Sequence, residues 1–68
     1  MIKKRSVDIA GHRTSVSLEA PFWDALAEIA TRCKVSVNQL IAEIDKERVG
    51  NLSSALRVFV LRDAQSSL

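Results

Sequence analysis

The sequence predicts a mainly α protein opened by a short β-ribbon. Three observations carry that expectation. Thr14, Val16 and Leu18 alternate strictly with Arg13, Ser15 and Ser17; apolar residues recur at three- and four-residue steps from Phe22; and Ser36-Val37-Asn38-Gln39 has the form of a helix-capping box.

Residues 1–11 form either a basic N-terminal arm or an extra short strand. Val7 and Ile9 alternate with Ser6, Asp8 and Ala10, and Ala10-Gly11 either turns the chain or loosens it. The sequence leaves open whether residues 6–9 make an outer strand. A strand is expected over 13–18, because successive side chains on extended backbone point to opposite sides and the β-branched content suits a pleated surface.

Pro21 occupies a first helical position, and Phe22, Leu26, Ile29, Ala30 and Cys33 make one apolar stripe, so a helix is expected over 21–33 with Cys33 as buried filler. A second helix is expected over 36–49. Its start is the capping box, with Val35 and Leu40 as a hydrophobic staple, and Gly50 suits the left-handed position that stops it. Asn51 caps a third helix over 51–64, with Leu52, Ala55, Leu56, Phe59 and Val60 along it and Arg57 and Arg62 on its polar side. Its apolar residues, Val58 and Leu61 included, exceed what one buried stripe holds.

Composition narrows the function. Of 68 residues 47% are apolar, with two Gly and one Pro, more buriable surface than a single small domain easily hides, so self-association is expected. The net charge of +2 is unevenly placed: residues 1–17 carry Lys3, Lys4, Arg5 and Arg13 against Asp8, and all the net positive charge lies there. Such an excess suits phosphate or another anionic surface. A lone cysteine fits a reducing, cytoplasmic setting, and no apolar run follows the basic start as a secretory leader requires. The longest strongly apolar run, Val58 to Leu61, is far shorter than the ~20 residues of a membrane span.

No enzyme is expected. One His, one Cys, no Tyr, and carboxylates spread over Asp24, Glu28, Glu43, Asp45 and Glu47 offer neither a nucleophile–base pair nor metal-ligand spacing, so no metal and no cofactor is called for.

A single strand at 13–18 exposes unpaired backbone groups, which the helices cannot satisfy. The economical mate is the same strand of a second copy, paired antiparallel about a two-fold axis. Thr14, Val16, Leu18, Phe22, Leu26, Ile29, Leu40, Ile41 and Ile44 then form the dimer core.

Strand, helix, turn, helix, carried by TSVSLEAPFWDALAEIA and VSVNQLIAEI, resembles the ribbon-helix-helix family of dimeric DNA-binding proteins that includes the Arc and methionine repressors. The likeness covers residues 12–49. The whole chain looks like a short bacterial branch with an added C-terminal helix packed on the dimer. The resemblance implies an intertwined homodimer whose intermolecular antiparallel β-ribbon enters the major groove of double-stranded DNA, with Arg13, Ser15 and Ser17 facing bases. It also implies that the helix start at Ser36, Val37 and Asn38 meets a phosphate, as a helix N-terminus favours anions. Lys3, Lys4 and Arg5 are further candidates for phosphate. Arg13 suits guanine, whereas Ser15 and Ser17 have weak base preference.

The expected function is therefore a sequence-specific or semi-specific transcriptional regulator, such as a repressor. The rival reading is a dimeric protein-binding module, or an antitoxin-like partner, with weak DNA affinity and an apolar C-terminal helix that faces another protein.

Overall fold

Two-residue hairpin loops favour turns with positive φ at both central positions. In the computed structural model, which describes residues 1–48 and 50–66, Ala10 has φ 52° and Gly11 φ 82°. Gly11 adopts this conformation without penalty, while Ala10 holds its Cβ in the left-handed region at some cost. The turn joins β1 (Ile2–Ile9) to β2 (His12–Glu19) as an antiparallel hairpin in which Ile9 faces His12, Asp8 faces Arg13 and Val7 faces Thr14, continuing to Ile2 opposite Glu19.

This corrects the expectation that the strand around Val16 lacks a mate in its own chain. Residues 6–9 are strand, and the strand continues back to Ile2. A strand of basic and polar residues reads as an arm until Val7 and Ile9 are given a face to bury; the hairpin provides it.

Alternation then sorts the two strands. Val7, Ile9, Val16 and Leu18 are buried on one face. Helix α1 (Ala20–Cys33) buries Trp23, Leu26, Ile29 and Ala30, α2 (Val37–Glu47) buries Leu40 and Ile41, and α3 (Leu52–Ser66) buries Leu56. Together they form one core, with α2 against β1 and both α1 and α3 against β2. Burying five fully enclosed side chains, Val16, Leu18, Leu26, Ile41 and Leu56, contributes about 1.5–3 kcal/mol each before entropy is counted.

The helix ends follow local chemistry. Lys34 takes the left-handed conformation just past α1 at φ 61°; its N–H bonds the Thr31 carbonyl at 3.1 Å and that of Val35 bonds Ala30 at 3.0 Å, the paired closure of a Schellman motif. Helix α2 has the full capping box, with Gln39 N–H on Ser36 Oγ at 3.0 Å and the Ser36 N–H on Gln39 Oε1 at 3.4 Å. It stops at Glu47, short of the expected 49, because Arg48 is extended (ψ 147°) and its guanidinium bonds both Asp45 and the Gly50 carbonyl. Gly50 is left-handed at φ 84°, but it turns the link to α3 and does not end α2 directly; Val49 lies outside the described residues. Asn51 caps α3 through Oδ1, which accepts from Ser54 N–H at 3.1 Å.

Cys33 is exposed, against the expectation of a buried filler. It is the last residue of α1, just before the chain turns through left-handed Lys34.

Candidate nucleic-acid interface

Because paired residues of an antiparallel sheet share a face, the register fixes what the hairpin turns away from the core. That outer face carries Lys4, Ser6 and Asp8 from β1 and Arg13, Ser15 and Ser17 from β2, in the cross-strand pairs Lys4–Ser17, Ser6–Ser15 and Asp8–Arg13. All are exposed except Ser17, which is half-buried. Arg13, Ser15 and Ser17 are thus brought onto one polar surface. Lys4, Ser6 and Asp8 join them, and sequence reasoning did not place these three there. The signal was available: a two-residue turn at Ala10-Gly11 makes Asp8 face Arg13, and the rest follows by counting.

Alternation splits the basic trio. Lys4 lies on the outer face, while Lys3 and Arg5 share the core side with Val7. There the Arg5 guanidinium sits 5.0 Å from the centre of the Trp23 ring, whose Nε1 donates to the Lys3 carbonyl at 3.0 Å. Trp23 is therefore the anchor under β1, and Arg5 covers it, an arrangement worth about 0.5–1 kcal/mol at an exposed site. His12, opposite Ile9, is also off the outer face.

Two ion pairs set the charge on the ribbon. Arg13 Nε donates to Asp8 Oδ1 at 3.3 Å, with the two side chains 75% and 60% exposed. At the far end Glu19 accepts two bonds from Arg57 of α3, at 2.9 and 3.3 Å, and this pairing lowers the Glu19 pKa from its ordinary value. Arg57 also lies over Phe22, 5.9 Å from the ring centre. Glu19 is thereby balanced by a helix residue, whereas Arg13 is balanced by Asp8 on the ribbon itself and Lys4 adds a further cation to the outer face.

At the start of α2 the capping box satisfies the N–H groups of Ser36 and Gln39, and the Leu40 N–H begins the helical ladder on the Ser36 carbonyl at 3.0 Å. Among the described residues, the N–H groups of Val37 and Asn38 are left over at the positive end of the helix.

Of the residues assigned to a dimer core, Val16, Leu18, Leu26, Ile29, Leu40 and Ile41 are buried by elements of their own chain, Phe22 and Ile44 are partly buried, and Thr14 is exposed. Val7, Ile9, Trp23, Ala30 and Leu56 complete the core. On α3, Val58 and Leu61 stay 47% and 56% exposed. Among the described residues no group of three His, Cys, Asp or Glu is placed to hold a metal, and no helix is long and apolar enough to cross a membrane.

A β-hairpin that buries one face on helices and presents a polar, cation-bearing face outward, followed by a capped helix with free N-terminal donors, defines a ribbon-and-helix protein class. The ribbon-helix-helix domain matches residues 2–64, and the chain belongs to that family. Ribbon-helix-helix domains generally dimerise and bind DNA, and their proteins are typically non-enzymatic regulators. Among solved structures, the chain is similar to an uncharacterized protein from Bordetella pertussis Tohama I, with 36% identity and a TM-score of 0.82. That likeness covers 100% of this chain and 62% of the other. No curated protein matches.

Proposed function

We propose that the chain is a DNA-binding transcriptional regulator that lays the outer face of its hairpin into the major groove as part of a homodimer. The observation that carries this reading is the alignment of Arg13, Ser15 and Ser17 on one exposed polar face backed by a packed core. The major groove, about 12 Å wide, admits a two-stranded ribbon. Arg13 addresses guanine, the two serines make short-range contacts of low base preference, and Lys4 reaches phosphate with Lys3 and Arg5 nearby. Ser36 orients the α2 start so that the Val37 and Asn38 N–H groups meet another phosphate.

The same geometry supports dimer formation. The ladder bond from the Ala20 N–H to the Met1 carbonyl sets the alternation, so the backbone groups of Arg13, Ser15 and Ser17 point away from β1. That free edge of β2 suits the β2 of a second copy about a two-fold axis, giving a four-stranded sheet with the two β2 strands central. At about 4.8 Å per strand only the central pair enters the groove, and each β1 lies over a groove wall where Lys4 meets the backbone. A cytoplasmic repressor of bacterial type fits these properties.

Purified protein titrated onto duplex DNA across a salt series tests the reading. Several phosphate contacts give a clearly negative log–log slope; a slope near zero defeats it. The exposed Val58 and Leu61 favour a second reading, a protein-binding or antitoxin-like dimer of weak DNA affinity. Its mark is a stoichiometric partner retained on purification with no shift of genomic DNA.

A further inference from the structure

The outer face of the ribbon holds two acids among the described residues. Glu19 is taken up by Arg57 of α3, whereas Asp8 is bound by the ribbon's own Arg13. An ion pair this exposed contributes little to stability, because solvent screens it and two mobile side chains must be held still. A carboxylate on a surface that meets a polyanion also opposes association with DNA of any sequence. Asp8 therefore adds little to the fold and works against generic binding, yet it sits directly across from the side chain best suited to read a base.

The atoms involved indicate what it does. Asp8 Oδ1 accepts from Arg13 Nε at 3.3 Å, and among the described residues no bond occupies the two terminal guanidinium nitrogens. Those two donors match the O6 and N7 acceptors of guanine, and an arginine already fixed at Nε loses less side-chain freedom when it makes that contact. The cross-strand pair Asp8–Arg13 is also one of the non-hydrogen-bonded pairs of the ladder, where opposing side chains lie closest.

We propose that Asp8 is a positioning residue that sets specificity: it holds the Arg13 guanidinium by Nε so that its terminal nitrogens face a guanine edge, and its charge disfavours DNA that lacks the contact. The inference rests on the DNA-binding reading above, and its failure is separable from the failure of that reading.

The test uses the full chain, a preferred duplex selected from a random pool, and a scrambled duplex of equal length. Asp8→Ala should tighten binding to the scrambled duplex several-fold while the preferred-to-scrambled ratio falls by roughly 5- to 150-fold, the span of one lost bidentate base contact. Asp8→Asn, which keeps size and an acceptor oxygen but not the charge, should tighten scrambled binding similarly and lose less of the ratio. In an Arg13→Ala background, Asp8→Ala should lower the ratio no further, since there is no guanidinium left to hold. Circular dichroism of each variant verifies that the hairpin persists. An unchanged ratio in Asp8→Ala, with wild-type protein binding normally, overturns the assignment alone, as does an equal fall in both backgrounds. Wild-type protein without salt-dependent binding overturns the DNA reading and this inference together.

Discussion

Arg13 and Glu19 are both charged residues of β2 on the same outward face, and each meets an oppositely charged side chain, yet their surroundings assign them different work. Arg13 pairs with exposed Asp8 across the ribbon, so its partner does not withdraw it from the surface. Arg13→Ala should cost about 1–3 kcal/mol in discrimination between preferred and random duplexes, measured by competition binding, with little change in thermal midpoint. Glu19 is held by two bonds from Arg57, which connects the end of the ribbon to α3. Because Arg57 lowers the Glu19 pKa in the folded chain, the stabilisation is fully present above the usual glutamate range and is lost as pH falls through the lowered value. Thermal melts through that acidic window should show a shallower decline for Glu19→Gln than for the parent, which starts higher at neutral pH.

At the scale of elements, the hairpin carries two separable features. Its turn places Ala10 in the left-handed region at φ 52°, where a residue with a Cβ is disfavoured. Ala10→Asn, giving the Asn-Gly pair such turns prefer, should raise stability by about 0.5–1 kcal/mol in denaturant titrations. The second feature is the outer edge of β2. The N–H of Ser15 points away from β1, so Ser15→Pro should leave the intrachain ladder intact while blocking an intermolecular ribbon. Light scattering should then report a folded single copy where the parent is a dimer, and an unchanged dimer would place the subunit contact elsewhere.

The elements that depend on short-range chemistry were legible in the sequence: the Ser36 box and the Asn51 cap stand where residue pattern puts them, because a cap needs only neighbours three residues away. The α1 stripe, by contrast, keeps Leu26, Ile29 and Ala30 but buries Trp23 in place of Cys33 and leaves Phe22 partly exposed. Misreadings arose where the answer lay across the chain. Met1 to Arg5 carries no apolar alternation of its own, so β1 gains its regularity from pairing with β2 and from the Trp23 bond to Lys3. Cys33 fits the α1 stripe by spacing, but spacing does not say where the opposing surface ends.

In the whole molecule, one chain supplies both strands of a ribbon and closes a core behind it, which changes what a second copy is needed for. A second copy is not required to complete β2 on its first edge; in the proposed DNA-binding dimer it would double the outer face and cover the remaining edge. The polar residues of that surface were half visible beforehand, since Arg13, Ser15 and Ser17 follow from alternation within one strand, whereas Lys4, Ser6 and Asp8 depend on register between two.

The sequence by itself determined the order of β2 and the three helices, the caps of α2 and α3 and the face on which Arg13, Ser15 and Ser17 lie, because these follow from backbone geometry repeated every two or 3.6 residues and from neighbours three residues apart. Tertiary structure decided that residues 2–9 form a strand against β2, that Arg5 turns back over Trp23 and that the side chains of Asp8 and Arg13 join. Those outcomes depend on which distant groups a fold brings within a few ångströms, and no local period encodes them.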